Sequence, residues 1–403
     1  MRRESRILIS GDEPTGYYDV KLMFPVLMLT AIGIIMVYSA SSVLAFKKFG
    51  TDYFFLKKQA LFAIAGLIAL VGFRHFPYRY FKIMAYPLLI FALILLGAIF
   101  IPGLGYSAGG SARWLRFGGL TVQPSEFARL SMIIYLSYSI EKKGENLSNF
   151  YIGFLPHVIV LGIFTALLFL QPDFGSVVIL AAITWVMLFV GGVRILHLIP
   201  SVLLLLPFAY LYMVSAEYRV KRLMSFWDPW QYSADEGYQI VHSLMAFGTG
   251  GIWGAGIGKG YQKLYYLPEP HTDFIFSVIG EELGLLGVFI ILVMYALILW
   301  RGIKIAKNTD DNFGTFLAAG ITSAMGIQVC INMGVTLGIL PTKGLTLPFL
   351  SYGGTSLLVN MASIGILMNI GKPGTRGQGS GVRGQPENGN WRLATGRDGR
   401  REA

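Results

Sequence analysis

The segment Glu269–Pro270–His271–Thr272–Asp273–Phe274–Ile275–Phe276 puts a carboxylate where a polar loop gives way to a long apolar run, and Glu281 and Glu282 follow inside that run. Acids in an apolar span are costly to bury, so each points to function or to pairing. Two roles suit this position. Thr272 or Asp273 can act as an N-cap, satisfying free N–H groups of the helix that starts here. A desolvated carboxylate at a membrane surface also gains proton affinity, so Asp273 can act as a base toward a sugar hydroxyl. The two roles are compatible. Glu281 and Glu282 lie roughly 12 Å further along the helix and point about 100° apart. They read as structural ion-pair residues ahead of catalysts. Their expected partner is Arg129. In Gln123–Pro124–Ser125–Glu126–Phe127–Ala128–Arg129, Pro124 marks a helix start and Glu126 and Arg129 share a face. A buried Glu–Arg–Glu set would neutralise charges that are each too costly alone.

Cations and aromatics make a second group. Ala112–Arg113–Trp114–Leu115–Arg116 ends a Gly-rich loop. Trp and Arg at headgroup depth anchor a protein at the interface, and the same residues can clamp a phosphate and stack on a sugar. Arg219, Lys221 and Arg222 are either ordinary loop charges or part of a pyrophosphate site. Two segments mix Pro and Gly with polar residues at membrane depth: Gln171–Pro172–Asp173–Phe174–Gly175–Ser176, with Asp173 as a cap, and the stretch from Leu340 to Ser356, which holds Lys343 and Ser351. Broken backbone at that depth is tolerated where it lines a cavity or packs inside protein. His75, His157, His197 and His242 have no ligand spacing, and no metal, phosphate-loop or dinucleotide motif is present. The single cysteine, Cys330, excludes an intrachain disulfide.

The elements that must hold these residues are membrane helices. Of 403 residues, 54% are hydrophobic and 14% charged, with a mean hydropathy of +0.59. Ten spans are predicted, at 22–46, 59–73, 81–101, 122–140, 152–171, 174–193, 195–215, 273–300, 313–338 and 350–370, so the expected class is an all-α polytopic bundle. An N-terminal segment 1–21, a membrane domain 22–371 and a disordered Gly/Arg-rich tail 372–403 follow from composition. An even count places both termini on one side. The larger share of the 33 basic residues assigns that side to the cytoplasm, although Lys47, Lys48, Lys57 and Lys58 fall in an outer loop and count against it. The net charge of +11 fits contact with anionic headgroups rather than nucleic acid. The long outer segment, about 216–272, contains an apolar run, Tyr238–Gly248, that reads as a short membrane-associated helix.

Taken in order, Ala112–Arg113–Trp114, Gln123–Pro124–Ser125–Glu126, Gln171–Pro172–Asp173, His271–Thr272–Asp273–Phe274–Ile275–Phe276, Gly280–Glu281–Glu282–Leu283–Gly284 and Ser351–Tyr352–Gly353–Gly354 resemble the SEDS family (shape, elongation, division, sporulation) of bacterial membrane glycosyltransferases. The likeness runs from about residue 15 to 371. Ser243–Leu244–Met245–Ala246–Phe247–Gly248 and Leu340–Pro341–Thr342–Lys343–Gly344–Leu345 resemble its division branch more than its elongation branch. The resemblance implies a ten-helix fold that polymerises lipid II into β-1,4 glycan strands at the septum, inverting the sugar's anomeric centre as undecaprenyl diphosphate leaves. It also implies a class B penicillin-binding transpeptidase (FtsI-like) and divisome proteins such as the FtsQ–FtsL–FtsB complex as partners. The family's essential aspartate falls on Asp273, its loop Trp on Trp114 and its intramembrane Glu on Glu126. Arg129 departs from the usual Lys, which leaves the transfer of that residue's role open. The expected set is therefore Asp273 as catalyst, with Arg113, Trp114, Arg116, Glu126, Arg129, Lys343 and Ser351 at the substrate and Glu281, Glu282 and Asp173 structural. No metal ligand is expected from the chain, and a divalent cation such as Mg²⁺ is an alternative source of positive charge for the diphosphate. The rival readings are a lipid II flippase, which intramembrane acids also suit, and a non-catalytic divisome scaffold.

Overall fold

A computed structural model describes residues 19–108, 111–117, 120–214, 217–235, 237–265, 267–342 and 344–372. Each of the ten predicted spans holds a helix: α1 (Val20–Phe49), α2 (Phe54–His75), α3 (Tyr80–Ala98), α4 (Pro124–Lys143), α5 (Leu155–Leu170), α6 (Phe174–Val190), α7 (Ile195–Val214), then α11 (Ile275–Asn308), α12 (Asn312–Thr336) and α13 (Gly354–Ile370). The long segment between α7 and α11, read from the sequence as the outer segment, adds α8 (Glu217–Trp227), α9 (Tyr238–Gly250) and a single turn, α10 (Gln262–Tyr265). The apolar run read as a short helix is α9, while α8 and α10 were not foreseen. Among the described residues, six helices are long and apolar enough to cross a membrane by length and composition. The chain is an all-α multi-pass membrane protein.

α4 explains why hydropathy alone undercounts. It lies inside the bundle against α3, α6, α12 and α13, and buries Ser125, Glu126, Arg129, Ser131, Ser137 and Ser139. A helix wrapped by protein does not need a lipid-facing apolar surface, and its polar side chains bond to neighbouring helices. The 102–121 segment, read as a loop, instead forms an antiparallel sheet of β1 (Gly105–Ala108), β2 (Ser111–Phe117) and β3 (Leu120–Val122). Tyr106 pairs with Trp114 and Ser107 with Ala112, so Arg113 is an extra residue on β2. Such a bulge re-aims side chains that would otherwise alternate.

α11 is broken at Gly284, whose φ is 65°. The Gly-rich stretch after α9 docks into the break. Ala255 and Gly256 N–H groups donate to the Glu281 and Glu282 carbonyls at 2.9 and 3.0 Å, and Leu285 and Leu286 N–H groups donate to Gly251 and Ile252 at 2.9 and 3.2 Å. A Cβ at Gly254 or at Gly284 would run into the opposing backbone. The outer segment thus folds back and supplies the hydrogen bonds that the broken helix lacks.

Candidate functional site

A cavity of about 520 Å³ opens at the end of the bundle where α4, α6 and α11 begin. Its walls include Leu44 and Lys48 at the end of α1, Phe54, Phe55, Lys58 and Phe62 on α2, Tyr106, Arg113 and Trp114 of the hairpin, Ser125, Glu126 and Arg129 of α4, Ser176 and Ile179 of α6, Glu269, His271–Asp273, Gly344–Thr346, and Tyr352–Gly354. The bulge on β2 accounts for consecutive residues Arg113 and Trp114 both facing this space.

Asp273 sits on the turn before α11, outside the spans. The N-cap of α11 is Phe274, and no side chain caps it, so the capping role read from sequence falls away. Thr272 Oγ1 instead donates to the Glu269 carbonyl at 3.1 Å, closing the turn. Among the described residues, no hydrogen-bond donor holds the Asp273 carboxylate. Burial pushes its pKa up to about 7, the charge of Glu269 adds to the rise, and the Arg113 guanidinium opposes it. Near neutral pH such a group both accepts and releases a proton. Burial also holds His271 down at about 4, with Lys48 adding to the effect, so this imidazole is neutral beside the acid.

The backbone of the turn is fixed from two sides. Asn332 Nδ2 donates to the Asp273 carbonyl at 3.0 Å and to the Leu345 carbonyl at 2.6 Å. Ser351 Oγ donates to the Thr272 carbonyl at 2.6 Å and accepts from the Leu347 N–H at 2.7 Å, while the Tyr352 N–H donates to the His271 carbonyl at 2.8 Å. Ser351 therefore positions the turn and does not line the cavity, contrary to its expected place at the substrate. Glu269 and Phe349 carry positive φ values of 51° and 66°, a cost that persists only where surrounding contacts enforce it. A Cβ at Gly344 would lie 3.0 Å from Asp273 Oδ2, so the absence of a side chain there leaves room for the carboxylate.

Arg129 is held by Glu126 at 2.7 Å, by the Gln328 side-chain carbonyl, and by Asn360 Oδ1 at 3.2 Å. The expected pairing of Arg129 with Glu281 and Glu282 does not occur. Arg129 is engaged by its own helix and by amides of α12 and α13, and the two acids face the docked outer segment. Glu282 pairs with buried Lys263 at 2.5 Å and accepts from Ser39 Oγ at 2.8 Å and the Gly258 N–H at 3.0 Å. Glu281 accepts from the Tyr261 and Gln262 N–H groups at 2.7 and 3.2 Å. Both acids are thus bonded to the docked segment, with partners other than the expected Arg129.

Asp173 caps α6 through Ser176, whose Oγ donates to it at 2.6 Å, and lies 3.8 Å from Arg113. Arg113 also donates to the Pro172 carbonyl at 2.5 Å. Arg116 is exposed beside the Tyr106 ring, 5.7 Å from its centroid, and does not line the cavity. Lys343 and the side chains of Arg219 and Arg222 lie outside the described residues, as do the N-terminal segment through residue 18 and the tail from 373. Among the described residues, no group of three or more His, Cys, Asp or Glu could hold a metal ion.

Four residues were missed by sequence reasoning. Lys48 and Lys58 counted only as topology charges, yet they line the cavity. Gln328 and Asn332, one helical turn apart within an apolar span, share a face. That pairing of amides was the signal that could have found them.

A family model described as Cell cycle protein, for FtsW, RodA and SpoVE, matches residues 20–375. A "Probable peptidoglycan glycosyltransferase FtsW" of Geobacter metallireducens is 45% identical over 353 residues, covering 88% of this chain and 94% of that one. Stage V sporulation protein E of Bacillus subtilis is 43% identical over 357 residues, covering 88% and 97%. Among solved structures, a chain from work on structural coordination of polymerization and crosslinking by a peptidoglycan synthase complex aligns with a TM-score of 0.72 at 28% identity, covering 88% of this chain and 97% of that one. The rod shape determining protein RodA of Thermus thermophilus aligns at 0.65 and 27% identity, covering 88% and 96%.

Proposed function

The chain belongs to the FtsW, RodA and SpoVE family of cell cycle proteins, and on that premise we propose that it is a peptidoglycan glycosyltransferase polymerising lipid II, with Asp273 as its general base. The observation that carries the chemistry is a carboxylate with no hydrogen-bond donor among the described residues, facing a cavity that also holds Lys48, Lys58, Arg113 and Arg129. Asp273 takes the proton of the acceptor sugar's 4-hydroxyl as that oxygen bonds to C1 of the donor. The C1–O bond to diphosphate breaks, and undecaprenyl diphosphate leaves with the electron pair. The leaving group is already stable as an anion, so the site needs positive charge rather than a general acid. Attack opposite the leaving group inverts the anomeric centre, turning an α-linked donor into a β-1,4 product. Trp114 supplies an apolar face for a sugar ring, and Glu126 holds Arg129 in place.

The family premise also supports action at the septum, both termini in the cytoplasm, and work beside a class B transpeptidase and divisome proteins. Purified protein with its transpeptidase partner and labelled lipid II makes polymer. Asp273→Asn folds and loses activity by a factor on the order of 10² to 10⁴. Full activity of that variant would remove Asp273 as base, and lipid II movement in sealed liposomes without any polymer would favour a flippase.

A further inference from the structure

The turn that carries Asp273 is held by Asn332 and Ser351, and both of its flanks are held in turn from α9. One flank is the first leg of α11, from Ile275 to the break at Gly284. α9 lies across this leg. Phe247 of α9 meets Phe276 edge to face, with 5.5 Å between ring centroids, and a Cβ at Gly250 would run into the Gly280 carbonyl. Small residues let two helices approach this closely.

Ser243 of α9 joins three helices. It is fully buried, as are Ser277 of α11 and Thr336 of α12. Its Oγ donates to the Thr336 carbonyl at 2.5 Å and lies 2.5 Å from Ser277 Oγ. A serine hydroxyl has one proton to give. Ser243 gives it to Thr336, so Ser277 donates to Ser243. Thr336 is the last residue of α12. A carbonyl at a helix end lacks a partner within its own helix, and α9 supplies one from outside.

Both ends of this chain of hydroxyls lead to Asp273. Ser277 follows it by about one helical turn. Thr336 Oγ1 donates back to the Asn332 carbonyl at 3.2 Å, and Asn332 Nδ2 donates to the Asp273 carbonyl at 3.0 Å. Ser243 itself is not part of the cavity wall. Thr249, near the end of α9, makes a contrast: its Oγ1 bonds back to its own helix, at the Met245 and Ala246 carbonyls, 3.0 Å each.

We propose that Ser243 is a positioning residue for the reaction: it ties the start of α11 to the end of α12 and so fixes where the Asp273 carboxylate meets the acceptor hydroxyl. The inference rests on the polymerase reading above. Ser243 acts through Ser277 and through Thr336 with Asn332, not by contact with the reacting atoms.

The test compares Ser243→Ala, Ser277→Ala, their double variant and Thr249→Val, each as purified full-length protein with its transpeptidase partner and labelled lipid II. Ser243→Ala lowers kcat by a factor on the order of 10 to 10², the scale expected when a reacting group shifts by up to about 1 Å. The KM for lipid II stays unchanged, because no group of the cavity wall is removed. Ser277→Ala shows part of the same loss. The double variant loses no more than Ser243→Ala, because Ser277 acts through Ser243. Thr249→Val keeps the wild-type kcat. A second readout needs no turnover. In a Cys330→Ala, Asp273→Cys protein, the rate at which a small methanethiosulfonate modifies the new thiol reports the placement of position 273. Adding Ser243→Ala changes that rate several-fold, and adding Thr249→Val does not. An unchanged kcat in Ser243→Ala, a raised KM with kcat intact, an equal loss in Thr249→Val, or an unchanged thiol rate would each overturn the proposal. Absence of polymer from wild type would instead end the polymerase reading, and the thiol rate would still decide whether Ser243 positions residue 273.

Discussion

Asp273 is the residue on which the pH dependence of the reaction turns. Burial and Glu269 hold its pKa at about 7 against the pull of Arg113. A base must be deprotonated, so the rate rises through that pKa and levels above it. The same sign fixes the variants. Glu269→Gln removes a negative neighbour, lowers the pKa and moves the rise to lower pH. Arg113→Gln removes a positive neighbour and moves it to higher pH. Polymer yield against pH for the three proteins checks both directions, and identical profiles would separate Asp273 from the titration. Gly344→Ala places a methyl 3.0 Å from Asp273 Oδ2. A reacting group displaced by on the order of 1 Å costs on the order of 10²-fold. The variant is therefore expected to keep the wild-type melting temperature and lose most polymerisation in the labelled lipid II assay.

At the scale of elements, the outer segment and α11 act as one piece. Lys263→Met leaves Glu282 buried without its cation, a change that typically costs about 3 kcal/mol or more. The double variant Lys263→Met, Glu282→Gln removes both charges and recovers much of that loss, as thermal melting of the two purified proteins will show. This pair also marks where sequence reasoning stopped. The presence and order of the spans were legible because apolar runs of membrane length have few other solutions, and α9 was legible from its apolar run inside a polar loop. The hairpin bulge at Arg113 was not, because strand register is a tertiary property. Nor was Lys263, which lies on a one-turn helix whose neighbours in space come from α1 and α11. The choice of Arg129 as the partner for Glu281 and Glu282 followed charge alone and left out the fold-back at Gly284. Asp273 was legible as a carboxylate at the mouth of a span, but its freedom from the capping role depends on Thr272 closing the turn by itself. Ser351 was legible as important, and only the structure separates holding the turn from touching substrate.

For the whole molecule, the open question of sidedness meets the basic residues that counted against it. Lys48 and Lys58 belong to the first outer loop and its flanking helix ends, and both line the cavity. An anionic substrate would give these two lysines a reason to lie on the cavity side despite the charge rule, and the sidedness is put to direct test. The prediction uses the single cysteine. Cys330 is exposed and is first replaced by Ala. A new cysteine at Tyr261, 73% exposed in the outer segment, should then react with a membrane-impermeant maleimide on intact spheroplasts. One at Tyr151, 74% exposed in the turn between α4 and α5, should react only after the membrane is opened. The reverse pattern would put the cavity in the cytoplasm, where a polymerase of exported glycan could not work, and the proposed function would fall with the topology.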